Sequence, residues 1–418
     1  MALLFLCLIF GTGRTQKIEA AVQNVPESLE EESRLDTVGT DQETERAAVR
    51  EKKGQQEKEA GDTETDQAAA AQDELLAELD FDAIQQEVDS LLSSQQFSFD
   101  GTVRSLLQDG DPFRTFRAGN AVLSCAKTAF LAQKGLMKEL FLLVLAGAVL
   151  GSFSSLFEGK QVRDASFYMV YLLALALILK NFQSSGENLK AVITSLVAFM
   201  RILTPSYYLA AAAAGGASSA VMFYQMLLLV ILAVEKLLLA LVLPMIHIYL
   251  LIALVNDLSG EEILSHMTEL LETCVNGLLK SSLGVLVGMQ MIRNLIAPAL
   301  DSLRQMALWR TAGMIPGIGN AVNAVTELVA GSAVLIRNCF GVTAMLVLLA
   351  AGMVPAVQLL VSGLSFRLLA AAAQPVSDKR IAGCLAAAGK GYAMLLRLLL
   401  TVEVLFLLTI AILAGTFS

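Results

Sequence analysis

Long apolar runs separated by short polar stretches dominate this chain from residue 140 onward. Residues 140–156 form the first run apolar enough to cross a bilayer, with Gly147 and Gly151 at the small-xxx-small spacing that allows close helix contact. A charged loop, 158–164, leads to a minimal second run, 167–179. The third run, 191–215, contains Arg201 and Pro205 and ends in small residues. Residues 218–255 are too many for one simple crossing, since 38 residues reach about 57 Å as a helix against a core of about 30 Å. Glu235 and Lys236 lie mid-run and Pro244 follows. Adjacent charges at mid-bilayer are costly without partners, so a tight hairpin at Glu235-Lys236 is expected over one long kinked helix.

Residues 256–282 read as an amphipathic helix. Ser259 and Glu262 have capping-box spacing, and Ile263, Leu264, Met267, Leu270, Leu271, Cys274, Val275, Leu278 and Leu279 keep one apolar face. The polar face is acidic, where a helix lying on a membrane prefers Lys and Arg, so this one is expected to pack on protein. Run 283–300 carries Arg293 and Pro298, run 341–369 carries Pro355, and the last, 392–413, carries Arg397 and Glu403. The basic stretch 374–390 is expected to be a cytoplasmic loop, with the C-terminus outside. With the N-terminal segment also outside, the number of crossings is even, six or eight.

The first part of the chain follows other rules. The apolar core 3–10 suits a signal peptide and is too short to span, so residues 1–21 are read as a signal peptide or short anchor. Residues 22–79 form an acidic segment, rich in Glu, Gln, Thr and Ala, that cannot bury enough surface to offset chain entropy and is expected to be disordered. Residues 80–138 are expected to form short amphipathic helices outside the membrane. Phe81, Ile84, Val88, Leu91 and Leu92 recur at helical spacing behind Asp80 or Asp82 as a cap, and 112–134 suits a surface helix approaching the bilayer. Residues 139–418 complete the chain as a polytopic membrane domain. The expected fold class is all-α, a polytopic transmembrane helix bundle of six to eight spans.

Charge and composition sharpen this division. Residues 16–100 hold 23 acidic and 7 basic residues, whereas residues 101–418 hold 16 acidic and 22 basic. The net charge of -9 therefore joins an acidic soluble segment to a mildly basic membrane domain. At 55% hydrophobic and 17% charged residues, the chain is too apolar for an ordinary soluble domain of its size. No basic patch with interleaved aromatics appears, which argues against nucleic-acid binding. The five cysteines have neither metal-ligand nor redox spacing, and with only two histidines, His247 and His266, most metal and acid–base constellations are excluded. His247 stands alone in an apolar run and is expected to be hydrogen-bonded inside the bundle. No Ser/His/Asp, HExxH or paired-Asp arrangement is present, so the chain is read as a non-enzyme without a cofactor.

Residues 313–355 carry the most distinctive pattern. A rigid turn, Ile315-Pro316-Gly317-Ile318-Gly319, precedes a weakly polar helix, 320–337, and the tetrad Asn338-Cys339-Phe340-Gly341 leads into a strongly apolar run. Asn320, Asn323 and Glu327 share one face of that helix as an intramembrane polar stripe, which packs on other helices or lines a wet cavity. Pro316, Gly317, Gly319, Arg337, Asn338 and Glu403 are further candidates for structural or pathway roles. Broken helices near Pro244, Pro316 and Pro355, with the charges Arg201, Glu235, Lys236 and Glu403, would also suit a secondary transporter or permease acting alone.

The turn at 315–319, the segment Gly331-Ser332-Ala333-Val334-Leu335-Ile336-Arg337-Asn338 and Gly341 resemble the stage III sporulation protein AE family of endospore-forming bacteria. Leu243-Pro244, Leu254-Val255-Asn256 and Gln374-Pro375-Val376-Ser377-Asp378 support the likeness. The resemblance implies a multi-pass subunit in the mother-cell membrane around the forespore. It implies a complex acting as a channel or secretion-like conduit that sustains late forespore gene expression. The implied partners are other stage III sporulation A-complex proteins, including a secretion-type ATPase and ring-forming subunits, the forespore-side stage II sporulation protein Q, and the lipid bilayer. The family offers no catalytic residues. On this reading Glu327→Ala and Asn323→Leu block sporulation while leaving the protein in the membrane. Counts of heat-resistant spores, with membrane immunoblots, check this, and normal yield from both variants removes the stripe from consideration.

Overall fold

The computed structural model describes residues 76–77, 79–92, 97–109, 118–154, 160–211, 229–259, 264–312, 319–375 and 377–415. Every regular element among them is a helix. The signal-like segment, nearly all of the acidic segment, Pro316 and Gly317 lie outside these residues.

Two short helices come first. Helix α1, Phe81–Leu91, starts at Asp80, whose side chain accepts from the Ala83 N–H at 3.1 Å. Its apolar stripe points inward, with Ile84 and Val88 fully buried. Helix α2, Phe99–Asp109, is fastened to α1 by Gln85. The Gln85 amide donates to the Phe97 carbonyl at 2.7 Å and accepts from the Phe99 N–H at 2.8 Å. Phe81 and Phe99 meet Phe340 at centroid distances of 6.1 and 5.0 Å, and Tyr207 joins Phe340 at 6.3 Å. This aromatic group fixes the pair on the long helices behind it.

Six long helices make the rest: α3, Ala118–Ser154; α4, Lys160–Ala211; α5, Leu229–Ser259; α6, Ser265–Ala312; α7, Gly319–Ala373; and α8, Lys379–Gly415. Among the described residues, five stretches are long and apolar enough to cross a membrane: Phe167–Ala210, Leu229–Ser259, Ser265–Met289, Gly331–Ala373 and Lys379–Ala411. Their outer faces carry bare apolar side chains such as Met169 (77% exposed) and Leu368 (61% exposed). Such surface is costly in water and ordinary against lipid tails. The most extensive packing joins α7 to α8, and both pack on α4.

Several expected breaks are absent. Run 167–179 and residues 191–211 of the next run belong to one helix, α4. Its intervening polar stretch stays helical, with Ser185 donating back to the Asn181 carbonyl at 2.9 Å. The hairpin expected at Glu235-Lys236 does not exist, because α5 runs through both residues. Glu235 has a partner that local reading could not supply, Arg201 of α4 at 3.2 Å. Instead α5 adjusts at Leu238–Val242 with a π-helical turn, closed by the Leu243 N–H on the Leu238 carbonyl. Pro244 follows directly and has no N–H to offer the Ala240 carbonyl, so the wider turn absorbs the proline within a continuous helix.

Other boundaries shift for similar reasons. Ser259 ends α5 rather than opening the next helix, and the Asn256 side chain accepts the Leu264 N–H at 2.8 Å across the turn. Residues 338–341 lie inside α7, which is 55 residues long. The expected loop 374–390 shrinks to a few residues, because α8 begins at Lys379 behind Asp378, which accepts from the Arg380 N–H at 3.1 Å. The surface helix expected at 112–134 and the start of the 140–156 run merge into α3, across a stretch of good helix formers. The amphipathic α6 packs on protein through Val275, Leu279, Ser282 and Leu286, while Met267 and Leu270 stay exposed.

Phe99 holds α2 in place, so Phe99→Ala should weaken that docking by about 3–5 kcal/mol. Limited proteolysis of membrane vesicles is expected to cut between residues 92 and 118 faster in the variant while the long helices stay protected.

Candidate functional site

Three polar groups lie, buried or half-buried, where the long helices cross. The first joins α4, α5 and α8. Asn181 and Ser185 are one turn apart on α4 and face Tyr392 of α8. The Asn181 side-chain amide donates to the Tyr392 hydroxyl at 2.6 Å, and Ser185 Oγ lies 3.3 Å from the same oxygen. Gly186, the next residue, makes room for His247 of α5. A Cβ on Gly186 would stand 2.6 Å from both Cε1 and Nε2 of that imidazole. His247 Nδ1 is 2.9 Å from the Leu243 carbonyl, which can only accept, so Nδ1 carries the proton. Phe182 packs edge-on against both His247, at 5.3 Å, and Tyr392, at 5.2 Å. Phe366 of α7 stacks on the far face of Tyr392 at 5.3 Å.

The second group ties the far ends of α5 and α8 to the start of α4. The buried Tyr171 hydroxyl donates to the Leu254 carbonyl at 2.5 Å. Asp257 lies over Gly383, where a Cβ would approach its carboxylate to 3.1 Å. Arg380 donates to the Leu258 carbonyl at 3.4 Å and lies 5.5 Å from the centroid of the Phe167 ring. The third group is Glu403 of α8 (7% exposed), pressed onto α7 at Gly352 so that a Cβ there would overlap the carboxylate.

The candidates named from sequence fare differently. Gly319 opens α7, and Asn320, Asn323 and Glu327 lie on its first turns, but their side chains lie outside the described residues. Arg337 is enclosed (1% exposed) on the same helix, while the adjacent Asn338 is exposed. Arg337 and Gly352, the contact of Glu403, are fifteen residues apart, about 22 Å along the helix. The structure therefore does not bring Arg337 and Glu403 together. His247 is hydrogen-bonded inside the bundle, as its setting predicted. Sequence reading missed the Asn181, Ser185 and Tyr392 group, whose one trace was an i, i+4 polar pair followed by glycine within the polar stretch between two apolar runs.

This geometry, among the described residues, binds helices to one another. Among the described residues no cluster of three or more His, Cys, Asp or Glu is arranged to hold a metal ion. The sequence profile of stage III sporulation protein AE matches residues 97–416. The chain belongs to the stage III sporulation protein AE family. Its relative of that name from Bacillus subtilis (strain 168) is 22% identical over 291 residues, covering 69% of this chain and 73% of the relative. No solved structure matches. The stage III sporulation protein AE match takes in α2 to α8 and with them all three polar groups.

The first group gives an ordered pair of effects. Gly186→Val should push the imidazole out of its seat and cost about 1–3 kcal/mol by overpacking. Tyr392→Phe removes the hydroxyl shared by Asn181 and Ser185 and should cost about 1 kcal/mol. Thermal denaturation in one detergent, followed by size-exclusion peak height, should rank the glycine variant as the less stable.

Proposed function

We propose that this chain is a non-enzymatic membrane subunit of a stage III sporulation complex, working in the mother-cell membrane around the forespore. The complex acts as a channel or secretion-like conduit that late forespore gene expression requires. Its partners in this reading are the other stage III sporulation A-complex proteins, a secretion-type ATPase and ring-forming subunits among them, and stage II sporulation protein Q on the forespore side. The observation that carries the proposal is the family match across α2 to α8, a span that contains all five membrane-crossing candidates. The polar groups at the helix crossings support it, since those described link one helix to the next rather than converging on a reaction centre.

The alternative, a transporter acting alone, drew on interrupted helices. Pro244 and Pro355 instead sit within continuous helices, which removes most of that argument.

Deletion of the gene in its native host should leave vegetative growth unchanged. Spores should stall after engulfment, with loss of a late forespore reporter. Impaired growth, or a normal yield of heat-resistant spores, would overturn the proposal. Purified protein in liposomes is expected to move no solute without its partners, and uptake by the single protein would favour the transporter.

A further inference from the structure

Glu403 is the buried acidic group that the helix-to-helix ties described above leave unexplained. It sits mid-helix on α8, 7% exposed, and its Oε1 has no hydrogen-bond partner among the described residues. A bare carboxylate in so dry a place is costly. Among the described residues no ion pair reaches it. On α7, Arg337 and Arg367 each lie fifteen residues from Gly352, about 22 Å along the axis. On α8, Arg397 donates to Asn276 of α6 at 3.1 Å, and Lys390 pairs with Glu272 of α6. Between α4 and α5, Arg201 is taken by Glu235.

What Glu403 does face is backbone. Gly352 has no side chain to shield the turn of α7 beneath the carboxyl. Pro355 lies three residues further on and has no N–H, so the Ala351 carbonyl, bonded directly to Gly352, lacks its helical donor. The carboxyl thus lies against the turn of α7 whose Ala351 carbonyl lacks its helical donor, and a carboxylate has no proton to give it. Adding one proton to the carboxyl resolves both. The acid becomes neutral, and its O–H can donate to a carbonyl. A metal cation fits less well, because a carboxylate and one carbonyl supply too few oxygen ligands.

We propose that Glu403 is an intramembrane proton-binding site at the α7–α8 crossing, and that its protonated form donates to the Ala351 carbonyl. Proton binding then fastens α8 to α7 at the proline turn, and proton loss leaves a charge that the crossing cannot hold. The inference concerns this site alone and stands whether or not the complex is a conduit.

The test is infrared spectroscopy of the full-length protein in lipid nanodiscs at neutral pH. A protonated carboxylic acid has a carbonyl stretch well separated from that of a carboxylate. The wild type should show this band, carbon-13 glutamate labelling should move it, and Glu403→Gln should remove it. Labelling needs no variant, so the result does not depend on Glu403→Gln folding. Pro355→Ala restores an N–H to α7 and should shift the band toward a weaker hydrogen bond. No protonated band in the wild type, or a band unmoved by labelled glutamate, overturns the proposal. Loss of the band on adding sodium at constant pH overturns it in favour of a metal cation.

Discussion

A polar group inside an apolar helix bundle must find its partner within the protein, and most of this architecture follows from that requirement. Several hydroxyls meet it locally. Thr343 and Thr409 each donate one turn back along their own helix, to the Cys339 and Leu405 carbonyls, and Thr204 does the same to Met200. Larger polar groups reach a neighbouring helix. Asn181 reaches Tyr392, Tyr171 reaches the Leu254 carbonyl, and Arg201 reaches Glu235. Each cross-helix bond constrains rotation as well as separation, so a few of them suffice to set the register of α4 against α5 and α8.

Apolar packing alone would leave that register loose, because lipid tails solvate leucine as well as another helix does. Close backbone approach supplies the missing attraction. Between α7 and α8, a Cβ on Gly389 would stand 3.3 Å from the Gly363 carbonyl, and one on Gly363 would stand 3.3 Å from Cβ of Tyr392. Tyr392 fills the space beside this contact and stacks on Phe366. The same tyrosine accepts the Asn181 bond, so a single residue joins the tightest helix pair to α4.

The sequence made the helical class, the apolar runs, the docking helix at Phe81–Leu91 and its Asp80 cap legible, because each depends on contacts within a turn or two. It did not reveal where the helices end. Pro244 and Pro355 looked like breaks, yet a π-helical turn absorbs the first, and the second lies within the long α7. Glu235 looked like a turn because its counter-ion is 34 positions away in sequence. Asn181 and Ser185 fell between two expected runs and drew no reading, because Tyr392 is more than 200 positions away. In each case the information lay in a tertiary partner, which propensity and periodicity do not encode. Arg337 and Glu403 were recognisable as unusual from their apolar surroundings, but their separation along α7 was not.

That separation has a physical consequence. Opposite charges offset each other's burial only when close, and at about 22 Å along a helix they cannot form a pair. Arg337 and Glu403 must therefore be accommodated by different means. Arg337 lies near the Phe340 end of the bundle, where α1 and α2 bring soluble-type helices against α4 and α7. A guanidinium keeps its charge almost everywhere and needs acceptors or water-facing surroundings to hold it. Glu403 lies in the α7–α8 crossing, against the bare turn of α7 at Gly352, next to the Ala351 carbonyl that Pro355 leaves without its helical donor. A carboxyl can become neutral and turn one of its oxygens into a donor, which an arginine cannot do. Two points along α7 thus present opposite solutions to one problem: a fixed charge beside the docked helices, and a group able to change its charge at the proline turn.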